Sequence, residues 1–250
     1  MRYREIDILK GIAVICMITF HLFYFPNQYG FKEIKYDTKT LAIIAKIAQI
    51  IFIISVGINL HLSKKSSIEK EESKTEYIKK SLERILKITI LAVMMSVFTY
   101  FIFGEKYVKF GILHFIALSS LLFFNFSDNI NPMQIILIGC IFIFYLLIKT
   151  PELFNSLPSK LSFLLGFNKG YQSIDHFPII PWIILIIIGI VIGNYISHYK
   201  IKSIVPEKDN IILNKLEILG KNSLEIYAIH WVVLYFIFCI VYSKIIRKKI

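Results

Sequence analysis

The chain has 250 residues, of which 56% are hydrophobic and 18% charged, with a mean hydropathy of +0.65. Such a composition excludes an ordinary water-soluble domain and reads as an integral membrane protein. Lys and Arg outnumber Asp and Glu by 29 to 17, but the basic residues gather in the short stretches between apolar runs, which points to cytoplasmic loops and not to nucleic acid. Cys16, Cys140 and Cys239 each stand alone in an apolar run, without the spacing of a disulfide framework or a zinc site, and read as packing residues.

The first apolar stretch, 6–25 (IDILKGIAVICMITFHLFYF), is too long for a signal peptide and lacks a small-residue cleavage site, so it reads as a retained first helix. On a helix Lys10 and His21 share a face about 16 Å apart along the axis, with Asp7 one turn before Lys10. Ionisable groups at membrane depth cost roughly 2.5–3.5 kcal/mol each and face a protein interior or a wet cavity. That stripe marks a site.

Apolar runs follow at 41–62, 85–103, 107–126, 133–149, 179–197 and 224–243. None alternates with the period of a strand, so the expected fold is all-α, a polytopic transmembrane bundle of about seven spanning helices in a single domain over 1–250. The stretch 63–83, SKKSSIEKEESKTEYIKKSLE, carries six lysines and is followed by Arg84 and Lys87. It reads as a cytoplasmic basic loop, which puts the N-terminus with Arg2 and Arg4 on the cytoplasmic side of a cell membrane. The stretch 150–178 becomes an external loop whose apolar part, 153–167, could re-enter the membrane. Lys200, Lys202, Lys208, Lys215 and Lys221 then fall inside. The basic tail with Lys244, Arg247, Lys248 and Lys249 falls outside on an odd count of spans, against the positive-inside rule unless 153–167 enters.

Smaller signals concern packing. Gly189 and Gly193 form a GxxxG at which a neighbouring backbone can approach. Pro178, Pro181 and Trp182 read as a rigid helix start at the interface. Asn222, Ser223 and Glu225 resemble an N-cap opening the last helix.

With these directions, His21, His114, Asp175 and His176 form an outer group of candidate catalytic residues. Asp7, Lys10, Lys221 and His230 form an inner group of candidate donor-binding residues. The bland alternatives are an imidazole hydrogen-bonded to a neighbouring helix, a lysine snorkelling to the headgroups, and a solvated loop pair at Asp175 and His176. His61 and His198 follow helix ends beside basic loops and read as solvated. No HxxxH or HExxH pairing occurs, so no metal is expected. Intramembrane histidines and carboxylates would also suit a small-molecule or proton-coupled transporter, although no inverted repeat is visible.

The blocks RYREIDILKGIAVICMITFH, VKFGILHFIALSSLL, DHFPIIPWIILIIIGIVIGN and LGKNSLEIYAIHWVV, in this order, resemble those of the heparan-alpha-glucosaminide N-acetyltransferase catalytic-domain family. The resemblance implies an integral-membrane acyltransferase. It would take an acyl group, acetyl above all, from cytoplasmic acyl-CoA and hand it to a sugar-like or other hydroxyl or amine acceptor at the outer side. The implied partners are acyl-CoA, a glycan or small acceptor and the bilayer, and a homo-oligomer is compatible with them. The broader group of membrane acyltransferases has an Arg, ten residues, then a His in its first helix; Lys10 and His21 keep that spacing with Lys in place of Arg. The lysosomal enzyme's active histidine follows the first helix, where 26–40 here contains none. On this reading His21 is general base or acyl carrier with His114 as its partner, and Lys10 with Asp7 organises the inner entrance.

Overall fold

A computed structural model describes residues 3–28, 38–167, 172–201, 203, 205 and 210–249, without the side chains of 27, 28, 38 and 242–249. Arg2, Lys202, Lys208, most of 26–40 and the basic side chains of the C-terminal tail lie outside the described residues. The helices are α1 (Arg4–Gln28), α2 (Thr38–Glu69), α3 (Lys74–Phe103), α4 (Ile112–Phe123), α5 (Ile130–Lys149), α6 (Ser159–Leu165), α7 (Ile179–His198), α8 (Ile211–Lys221) and α9 (Ser223–Lys249). Among the described residues there is no strand, only a parallel bridge between Phe110 and His176.

Among the described residues six helices are long and apolar enough to cross a membrane, spanning Arg4–Pro26, Lys39–Glu69, Lys74–Lys106, Ile130–Lys149, Ile179–His198 and Ser223–Val241. The run expected at 107–126 forms only the shorter apolar helix Ile112–Phe123. The protein is a helical membrane bundle, with six such helices and one short companion among the described residues. Contacts divide the chain into two compact units, one holding 53–201 and the other 3–52 with 202–250, so α2 passes from one into the other.

In the 53–201 unit the helices alternate in direction. Tyr77 near the start of α3 donates from its hydroxyl to the Phe124 carbonyl beyond the end of α4, at 2.7 Å. Ser96, further along α3, donates to the Val108 carbonyl before α4 begins, at 2.6 Å. Short as it is, α4 with its flanks thus returns along α3 from one end of the unit to the other. Gly57 of α2 and Gly189 of α7 face each other so closely that a Cβ on either would strike the opposite backbone, and Gly193 lies against Ile58 and His61. The expected small-residue contact in α7 is therefore made with α2.

The stretch 63–83 is largely helical, because α2 runs on to Glu69 and α3 begins at Lys74. Lys and Glu favour helix, and Ser73 caps α3 by accepting from the Glu76 N–H at 3.2 Å. Lys80 pairs with Glu76 one turn away, at 2.6 Å. At 32 and 30 residues, α2 and α3 exceed the roughly 20 that a bilayer needs, and their polar ends run past it. In the stretch 150–178, a short turn of 3-10 helix at Pro151–Phe154 and α6 precede a segment that pairs with the approach to α4: Phe177 N–H donates to Phe110 at 2.9 Å and Ile174 N–H to Lys106 at 3.0 Å.

In the other unit α8 lies antiparallel on α1. A Cβ on Gly220 would collide with the Asp7 carbonyl and one on Gly11 with the Leu216 carbonyl, so two glycines admit this approach. The ring contacts His21–His230 and Phe25–Phe238 show α9 running parallel to α1. Asn222 departs from its expected role: its amide donates backward to the Ile218 carbonyl at 2.8 Å and closes α8, while its own carbonyl accepts from Ile226 at 3.0 Å as α9 begins.

Candidate functional site

The unit containing α1, α8 and α9 carries a run of hydrogen-bonded rings. Trp231 donates its indole N–H to His21 Nε2 at 3.1 Å, His21 Nδ1 lies 3.2 Å from His230 Nε2, and His230 Nδ1 lies 2.6 Å from the Tyr227 carbonyl. Indole nitrogen only donates and a carbonyl only accepts, which fixes the protons. His21 Nε2 therefore holds the lone pair. His21 Nδ1–H is shared between the Met17 carbonyl, at 2.9 Å, and His230 Nε2, while His230 Nδ1–H goes to Tyr227. The result is two neutral imidazoles in a directed chain. Phe20, Tyr24 and Phe25 surround His21, and Phe25 meets Trp231 edge to face with centroids 4.6 Å apart. His230 and Trp231 are buried, at 6% and 4% exposure.

The spacing on α1 explains the placement. His21, Met17 and Phe25 follow at intervals of four residues, so they share a face, and α9 meets that face with His230 and Trp231. The sequence places His230 in an inner group apart from His21, whereas in the structure the two side chains are in contact. Parallel packing of α9 on α1, which periodicity does not reveal, makes the difference.

The other inner candidates gather where α8 covers the first turns of α1. Lys10 Nζ pairs with Asp7 at 2.7 Å, both largely buried. Lys221 pairs with Glu217 at 2.5 Å, and Arg4 reaches the same carboxylate at 2.6 Å. Hydrogen bonds from Lys221 and then Arg4 hold the Glu217 carboxyl below its ordinary pKa, so it stays charged and holds the two cations together. Arg4, Lys10 and Lys221 present a cationic end steadied by two carboxylates.

The remaining outer candidates belong to the 53–201 unit. His114 accepts at Nδ1 from the Gly111 N–H, at 3.3 Å, and its Nε2–H faces the Ser96 hydroxyl at 3.1 Å, Ser96 having given its own proton to Val108. Asp175 accepts from the Ile112 N–H at 3.3 Å, which brings it to the same N-terminal end of α4 as His114. Burial lifts its carboxyl from 3.8 to about 6, partly offset by that hydrogen bond. His176 turns elsewhere: it donates from Nε2 to the Phe163 carbonyl at 2.9 Å and stacks on the Phe163 ring with centroids 3.9 Å apart. Burial lowers its pKa.

His61, expected to be solvated, is 1% exposed. It bonds the Ser127 carbonyl at 2.7 Å and the Ser197 hydroxyl at 2.9 Å, tying α2 to the turn after α4 and to α7. It lines a cavity of about 350 Å³ together with Lys65, Glu69, Asp128, Asn194 and Lys200. The helix α2 continues past the apolar run, and its neighbours cover His61. His198 is exposed, as expected.

Sequence reasoning missed Trp231 and Glu217. Trp231 adjoins His230 in the block LGKNSLEIYAIHWVV, and its indole N–H beside an ionisable residue is the signal that could have found it. Glu217 sits in α8, which reads as loop although Asn210, whose side chain accepts from the Ile212 N–H at 2.9 Å, is an ordinary N-cap signal before Leu213, Leu216 and Leu219. No group of three or more metal-ligating side chains occurs among the described residues.

No curated protein and no solved structure matches the chain. A family model described as heparan-alpha-glucosaminide N-acetyltransferase, catalytic, matches residues 2–232, nearly the whole length and every ring of the hydrogen-bonded run. The chain therefore belongs to the heparan-alpha-glucosaminide N-acetyltransferase catalytic family and is a multi-pass, acetyltransferase-like membrane protein.

Proposed function

We propose that the protein transfers an acetyl group from cytoplasmic acyl-CoA to a hydroxyl or amine of a sugar-like acceptor at the outer side, with His21 as general base. The observation that carries this reading is the directed chain Trp231, His21, His230, Tyr227 carbonyl, which leaves a neutral imidazole with its lone pair on Nε2 and a buried acceptor behind Nδ1–H.

Acyl transfer needs little more. The acceptor's proton passes to His21 Nε2 as its oxygen or nitrogen attacks the thioester carbon. The C–S bond breaks and the departing thiolate recovers the proton from His21. While His21 is cationic, its Nδ1–H donates to His230 Nε2, which stabilises the charge and keeps the ring oriented. The phosphates of the donor suit the cationic end formed by Arg4, Lys10 and Lys221, where Asp7 and Glu217 preorganise the charges.

The test uses purified protein in detergent with radiolabelled acetyl-CoA, scoring CoA release and label transferred to glucosamine. His21→Ala is expected to lose turnover by about 10²–10⁴-fold, the usual contribution of a positioned acid–base group, while remaining monodisperse. Turnover retained in the variant removes His21 from the mechanism. A wild type that neither binds nor turns over acetyl-CoA would favour the transporter reading.

A further inference from the structure

Every in-plane hydrogen-bonding position of the two imidazoles is filled by another group of the protein. His230 accepts at Nε2 and donates from Nδ1, and His21 donates from Nδ1, so none of these is available to remove a proton. Of the four nitrogens of this pair, that leaves His21 Nε2 as the candidate base, and the Trp231 indole N–H lies on it at 3.1 Å. A pyridine-type nitrogen has one lone pair in the ring plane and cannot accept two full hydrogen bonds there. Trp231 is buried and packed on Phe25, so the occupancy is built into the core and is not a surface encounter.

We infer that Trp231 is a latch on the base: its indole N–H occupies the His21 lone pair in the resting protein, and the acceptor's O–H or N–H must take its place before the proton can move. This rests on the reading of His21 as base. The latch keeps a buried lone pair satisfied while the site is empty, since an unpartnered one is costly. It also makes proton removal wait for the acceptor. Trp231 acts through His21 and is a positioning residue.

The experiment needs no knowledge of the acceptor. Diethyl pyrocarbonate acylates unprotonated imidazole nitrogen, and its rate at His21 can be read by peptide mass spectrometry in wild type and in Trp231→Phe, which keeps an aromatic ring and loses the donor. The variant is expected to label about 2–10-fold faster at His21, the range set by the net worth of one hydrogen bond. Equal or slower labelling overturns the latch. A second measurement holds whether or not the variant folds: ¹⁵N-histidine spectra of the unmutated protein must show His21 unprotonated at Nε2, and the opposite tautomer overturns the inference. The two readings fail separately. Turnover retained in His21→Ala removes the base role, whereas unchanged labelling in Trp231→Phe removes the latch and leaves the base role standing.

Discussion

At the scale of single residues, His230 and Asp175 show how surroundings assign work to a side chain. The His230 Nε2 lone pair accepts from His21 Nδ1–H, so under the proposed mechanism its contribution would be to orient and stabilise His21. His230→Ala is expected to lower kcat by about 10²-fold, with the KM for acetyl-CoA unchanged. Steady-state kinetics that move KM instead would assign His230 to donor binding. Asp175 carries a pH signature of its own. Burial raises its pKa from 3.8 in the unfolded chain to about 6, so the folded protein holds a proton that the unfolded chain has lost. Stability from this group is complete below the unfolded value, falls as pH rises through the interval between the two values, and is flat above the folded one. Thermal melts in detergent across that interval should fall in wild type relative to Asp175→Asn, which has no carboxyl to ionise; parallel curves would show Asp175 ionised throughout.

At the scale of elements, close helix contacts rest on glycine. Gly220 and Gly11 let α8 lie against the carbonyls of α1, which sets Asp7 and Lys10 under α8 and brings Glu217 within reach of Arg4. A Cβ at Gly220 would have to displace backbone, not the end of a flexible side chain. Gly220→Ala is therefore expected to cost about 1–3 kcal/mol, the usual range for overpacking, and to lower the melting temperature by at least about 2 °C. Gly139→Ala in α5, where an added Cβ meets nothing within 4 Å, is the matched control and should hold or slightly raise it. Equal melting of both variants would show that α8 yields at no cost. The same reasoning separates α4 from the longer helices. Its 12 residues cover only about 18 Å, yet its flanks carry it along α3 as far as Tyr77.

At the scale of the whole molecule, composition and the lengths of the apolar runs determined the class. A chain this apolar has to satisfy its backbone within each segment, and helices of bilayer length are the means. The four blocks in order were also enough to place it in its family, and α1 was recognisable as the bearer of ionisable groups. The tertiary structure decided which of those groups meet. His21 and His230 lie 209 positions apart and touch because α9 runs parallel to α1; Trp231 reaches the His21 lone pair only through that contact. His114 and Asp175 share one helix end because the segment before α7 pairs with the approach to α4, while His176, next in the chain, turns to α6. Hydropathy and periodicity are properties of neighbours along the chain, so they report where a helix lies and which face is apolar. Lateral pairing of helices, and with it the state of each imidazole nitrogen, depends on contacts between distant segments, and only the folded chain supplies them.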